Sequence, residues 1–203
     1  MDKHLNSNAP IVSALLMSAL TLTAAALPPA HASDLSVAEQ CDKEAGSELD
    51  FERNVSFPPV ATQDIRIGIA LSACREAYNQ NGGPRIQFQL ARVLDRAGER
   101  LKSHGILEEA ARNGHALAMV HYGALLAERG EEKEAFDFYR RAAETGNALA
   151  AHNLGIAYRD GIGTAPHGEL SARWLAHAAQ LGEPGDRSRT LEAAALATEN
   201  RIE

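Results

Sequence analysis

Residues 147–182 read NALAAHNLGIAYRDGIGTAPHGELSARWLAHAAQLG, and their ending is written three times in the chain. Ala178-Ala179 precede Gly182, Ala142-Ala143 precede Gly146, and Ala110-Ala111 precede Gly114. The three glycines are spaced 36 and 32 residues apart, working backwards. A period of this size is the mark of a helical repeat array.

The unit reads most clearly backwards from its glycine. A helix over Glu132 to Thr145 places Ala135, Phe136, Phe138, Tyr139, Ala142 and Ala143 on one apolar face. Lys133, Glu134, Asp137 and Arg140 stay in water. The paired alanines let a neighbouring helix approach. Gly146 ends the helix in the left-handed conformation that glycine adopts without a steric penalty. Asn147 is placed to N-cap the next helix, Ala148 to Arg159. That helix carries its stripe on Ala150, Ala151, Leu154, Gly155, Ala157 and Tyr158. A glycine inside a helix costs about 1 kcal/mol relative to alanine. Gly155, Gly123 and Ala91 recur at one place in three successive units, which predicts close backbone contact there. The connection from Asp160 to His167 is longer than its counterpart around Arg129-Gly130-Glu131. Gly161 and Gly163 are expected at positive φ, and Pro166 delays the next helix.

These residues carry a resemblance. LGIAYRDGIGT, the SARWLAHAAQLG that follows it and the A-x-x-x-LG spacing before it resemble a Sel1-like repeat, a relative of the tetratricopeptide repeat. His167 departs from the usual acidic residue at the end of the loop, and Ser171 from the usual alanine. HALAMVHYGALLAERGEEKEAFDFYRRAAETG is closer to a tetratricopeptide unit. PRIQFQLARVLDRAGERLKSHGILEEAARNG is degenerate, with Ser103, Ile106, Leu107, Ala110 and Ala111 on the face of its second helix. The resemblance implies an all-α fold, a right-handed α-solenoid of antiparallel helix pairs.

The organisation expected along the chain follows. Residues 1–32 read as an export signal: Lys3 and His4, an apolar run from Ile11 to Leu27, a break at Pro28-Pro29, and Ala30-His31-Ala32 before a cleavage point between Ala32 and Ser33. The competing reading is an uncleaved anchor, although the run sits at the lower limit for spanning a bilayer. Residues 33–82 form an N-terminal cap. It holds a short helix over Val37 to Glu44, a helix containing Ala70 to Ala77, and an irregular but ordered loop over 45–62 with Pro58-Pro59. Repeats follow at 83–114, 115–146 and 147–182. In residues 183–203, Leu191, Ala195, Thr198 and Ile202 share one face, which suits a solvating end helix; a disordered tail is the alternative for the last few residues. The chain has two cysteines, Cys41 and Cys74. In an exported chain the even count favours one disulfide stapling the two cap helices, against two buried free thiols.

Composition narrows the function. Aromatics make up 5% of the residues, too few for a β-sandwich of this size. A formal charge of −7 without a Lys/Arg cluster argues against nucleic acid. Catalytic signatures such as Gly-x-Ser-x-Gly and His-Glu-x-x-His are absent, no phosphate-cradling loop occurs, and no cofactor is expected. A His121/His152 metal pair has no third ligand at helical spacing. In arrays of the resembled type the first helix of each pair lines the concave face. Position by position, that face would carry Phe88, Gln89 and Arg92, then Val120 and His121, then His152, Asn153, Ile156 and Arg159. An apolar anchor, amides and cations together suit an extended peptide; the bland alternative is a solvated groove. The resemblance therefore implies a non-enzymatic module for a protein or peptide partner, periplasmic or secreted, with no stable membrane insertion after signal removal. Two other classes remain. One is a β-lactam-binding or hydrolysing enzyme, a reading tied to Sel1-like proteins with a cysteine pair in each repeat, whereas this chain has a single pair. The other is a structural envelope protein without a discrete ligand.

Overall fold

The computed structural model describes residues 35–182; the signal segment 1–32 and the end helix expected within 183–203 lie outside them. The described part contains eight α-helices and no strand. They are α1 (Val37–Ala45), α2 (Ile67–Asn79), α3 (Gly83–Arg96), α4 (Arg100–Arg112), α5 (Ala116–Glu128), α6 (Glu132–Glu144), α7 (Ala148–Asp160) and α8 (Gly168–Leu181). They pack as successive antiparallel pairs, α1/α2, α3/α4, α5/α6 and α7/α8, each pair also contacting the next. This is an all-α solenoid.

The helix starts are set by side chains that accept orphan backbone N–H groups. Ser36 and Glu39 form a reciprocal capping box at α1. Asn147 Oδ1 accepts from Ala150 N at 2.9 Å, as the sequence predicts. Two histidines do the same work. His115 Nδ1 accepts from Ala118 N at 3.1 Å, and His167 Nδ1 from Leu170 N at 3.2 Å. His167 therefore satisfies the end of the loop with a ring nitrogen.

The small residues within the pairs have a steric cause. A Cβ on Gly155 would lie 2.7 Å from Leu175 Cγ, and one on Gly123 would lie 2.8 Å from Tyr139 Cε1. The contact is mainly with a side chain of the facing helix, where the sequence suggested backbone against backbone. Ala91 contributes a carbonyl that accepts from the buried Ser103 hydroxyl at 2.8 Å. Gly146 takes φ +85° as expected. Gly163, at φ +67°, seats the α7–α8 loop on the start of α6, where a Cβ would fall 2.1 Å from Glu132 O.

Two apolar cores result. The larger runs from Phe88 and Ala91 on α3 through α8, and is built of alanines, leucines and the aromatics Tyr122, Phe138 and Tyr139. The smaller lies between α1, α2 and the other face of α3, with Cys41, Ala45, Ile65, Ala70, Cys74, Ile86, Leu90 and Val93. Ile86, Leu90 and Val93 follow one helical stripe while Phe88 and Ala91 follow another, so α3 serves both cores. Cys41 and Cys74 are joined in a disulfide between α1 and α2, with a Cα–Cα distance of 4.7 Å.

Candidate functional site

The first helices of the pairs, α1, α3, α5 and α7, form the face on which the sequence places a binding groove. Part of it is already covered. Residues 46–64, the link between α1 and α2, leave the end of α1 and cross to the beginning of α5, then return to a 3₁₀ turn at Thr62–Asp64. We call this segment the strap. Val60 N donates to Gly46 O at 2.8 Å and closes its base.

Two residues expected to meet a partner, Arg92 and Gln89, instead hold the cap and the strap. Arg92 donates to Ala45 O and Val60 O, at 2.5 and 3.0 Å, and reaches Thr62 Oγ1 at 3.3 Å. Burial pulls its guanidinium down to about 10, against the opposing charge of Asp50, so it remains a cation at neutral pH. Gln89 is fully buried. Its Nε2 donates to Asp42 Oδ1 at 2.9 Å, while its carbonyl lies against Cys41 Sγ, a bridged sulfur without a proton to donate. Phe88 is buried and stacked on His115, with ring centroids 4.6 Å apart. Val120 is also buried. The expectation that Phe88, Gln89, Arg92 and Val120 line an open surface is therefore corrected. Two causes act: the cap and the folded-back link engage Gln89 and Arg92, while Phe88 and Val120 turn into the larger core between the helices.

Beneath the strap lies a polar cluster that spacing and periodicity did not reveal. Asp42 pairs with Arg85, and Glu44 with Arg66. Asn54 Nδ2 donates to Asp42 Oδ2 at 3.0 Å. Asp50 and His115 are both buried, with His115 Nε2 3.3 Å from Asp50 Oδ1. Because Nδ1 accepts the cap hydrogen bond, the neutral ring carries its proton on Nε2, which lies near that carboxylate without completing a hydrogen bond to it. Glu52 Oε1 accepts from Ala116 N at 2.7 Å and places a negative charge at the start of α5. The one signal for this in the sequence is positional: His115 stands after Gly114 as Asn147 stands after Gly146.

The remaining expected residues sit beyond the strap. His121 on α5 is exposed, with its ring 5.8 Å from that of Phe88. On α7, His152, Asn153 and Ile156 are half-buried and Arg159 is exposed. Burial, helped by the charge of Arg159, lowers the pKa of the His152 imidazole. Arg159 pairs with Asp160 through two contacts of 2.8 and 2.9 Å. Among the described residues no three His, Cys, Asp or Glu side chains gather as a metal site would require, and no helix is long and apolar enough to cross a membrane.

No family model matches the chain. A solved Sel1 repeat protein of Oxalobacter formigenes aligns with 64% of this chain and 40% of its own, at a TM-score of 0.53 and 25% identity. An F-box protein of Arabidopsis thaliana is 40% identical over 74 residues, which is 36% of this chain and 20% of that protein. The chain thus spans about a fifth of the curated relative it matches. Its fold is that of a Sel1-type repeat solenoid.

Proposed function

We propose that this chain is an exported interaction module, a periplasmic or secreted regulator or adaptor, that binds an extended segment of a protein partner on the face of α5 and α7. One observation carries the reading. The same face of the preceding unit already holds an irregular, turn-rich segment of the chain: Arg92 donates to the backbone carbonyls of Ala45, at the end of α1, and of Val60 in the strap, and Glu52 of the strap meets a helix start. Further along the array, α7 offers an imidazole, an amide, an aliphatic side chain and a guanidinium in His152, Asn153, Ile156 and Arg159, without a covering segment among the described residues. Such groups serve a peptide, whose backbone needs hydrogen-bond partners and whose side chains need an apolar seat. The disulfide and the residues 1–32 support export. In this reading the module acts without turnover.

The test uses crosslinking and mass spectrometry in the native host, comparing the wild type with His152→Ala/Ile156→Ala. Loss of the crosslinked partner with unchanged melting supports the α5–α7 face. Retention of the same partner by the folded double variant rejects it.

A further inference from the structure

At the far end of the strap a cleft of about 280 Å³ opens between the strap tip and the starts of α5 and α7. Its walls include Asp50, Phe51 and Glu52 from the strap, Leu117 from α5, and Thr145 and Asn147 ahead of α7. The polarity is one-sided, since two carboxylates line it and no Lys, Arg or His does. Glu52 spends one oxygen on Ala116 N and sits on an exposed residue. Asp50 Oδ1 accepts from Glu52 N at 2.9 Å. Its second oxygen, Oδ2, is buried without a hydrogen-bond partner. An unpaired buried carboxylate oxygen is costly, and Arg92 relieves it only as a neighbouring charge. Phe51 is 66% exposed, an unusual placing for a phenylalanine beside two carboxylates.

We propose that this cleft seats a lysine or arginine side chain of the partner polypeptide, with Glu52 and Asp50 as counter-charges and Phe51 and Leu117 against its aliphatic stem. This deepens, and rests on, the reading that the chain binds an extended partner. The chemistry is specific. A long cationic side chain presents an apolar stem and a charged head, which are the two surfaces the cleft offers. The face of Phe51 adds attraction for a cation. The chain's charge of −7 favours approach of a basic segment over an acidic one. The strap thereby belongs to the recognition surface: it covers α3 and, at its tip, supplies the groups that read the partner's charge.

The probe is the tripeptide acetyl-Gly-Arg-Gly-amide, titrated into the full oxidised chain and followed by amide NMR shifts. Its counterparts with Leu or Glu in place of Arg are the controls. Saturable shifts are expected at Phe51, Glu52, Leu117 and Asn147 with the Arg peptide. Glu52→Gln, which keeps an oxygen for Ala116 N, should weaken them about five-fold, the size expected of a partly exposed charge pair. Phe51→Ala, at an exposed position, should weaken them by a similar factor. Equal binding of the Leu or Glu peptide, no shift at these residues, or indifference to Glu52→Gln each overturns the proposal. The tripeptide is too short to span from the cleft to Ile156. Its failure therefore sinks the cleft alone, while failure of the His152→Ala/Ile156→Ala experiment sinks the partner reading.

Discussion

The two ends of the described array are held together differently. From α5 onward the helices meet through alanines, glycines and aromatic edges: Tyr122 against Phe138 with ring centroids 5.2 Å apart, Phe136 against Tyr158 at 5.3 Å. The first pair has a smaller core, one disulfide, and a polar network in which buried Asp42, Glu44, Asp50 and Gln89 meet half-buried Arg85 and Arg92. The contrast teaches how a repeat array ends. An internal unit is covered on two sides and can stabilise itself by apolar burial. A terminal unit is covered on one side only and needs other fastenings. Here they are covalent and polar.

The largest effect should come from removing the covalent fastening. Replacing both Cys41 and Cys74 by Ser releases a 33-residue link, which costs about 3–4 kcal/mol in the chain-entropy model. In hydrogen exchange, α1, α2 and the strap should lose protection while α5–α8 keep theirs. Equal loss in both regions would mean that the two cores unfold as one unit and that the contrast is only descriptive.

Gly163→Ala probes the opposite end. The alanine must take φ +67° and place its Cβ against the Glu132 carbonyl. The cost is expected at about 2–3 kcal/mol, from left-handed strain and crowding. Here the protection should vanish from α6–α8 and persist in α1 and α2. A melting temperature unchanged from the wild type would show that the α7–α8 loop shifts freely and is no part of the packing.

His115→Ala tests the junction between the regions. It removes the cap on α5, the stack on Phe88 and the partner of Asp50. About 1–2 kcal/mol should go with the cap and its packing. His115→Asn should recover the cap portion, since Asn147 fills the equivalent role one unit later. If Asn rescues nothing, the ring's contacts with Phe88 and Asp50 matter more than its hydrogen bond to the helix.

Legibility in the sequence divides along the same line. Helices α6 and α7 are readable to within a residue at their ends, because the apolar period and the glycine that ends α6 agree, and Asn147 adds the N-cap of α7. The expected helix over Val37 to Glu44 is α1, one residue longer. The strap was legible only as an irregular loop. Its meaning lies in Arg92 meeting Ala45 and Val60, and in Glu52 meeting Ala116, and contacts between residues 32 to 64 positions apart leave no periodic trace. For the same reason the repeat pattern placed Gln89 and Arg92 on the correct helix face but could not reveal that the chain covers that face itself. On α7 the same projection gives His152, Asn153 and Ile156, which are half-buried, and Arg159, which is exposed.

The smallest effect concerns pH and belongs to the open region. Burial first, and the positive charge of Arg159 second, place the pKa of His152 below the usual histidine value. The folded form therefore resists protonation more than the unfolded chain does. The sign follows: this residue imposes no cost above the unfolded value near 6.5, and stability falls as pH drops below it. NMR titration of the imidazole should show the depressed midpoint, and Arg159→Gln should move it part of the way back. Because Arg159 is exposed and paired with Asp160, its share should shrink with added salt. A midpoint that ignores both Arg159 and salt would assign the whole shift to burial. His152 would then be read as a packed residue of α7, and the binding face would narrow to Asn153, Ile156 and Arg159.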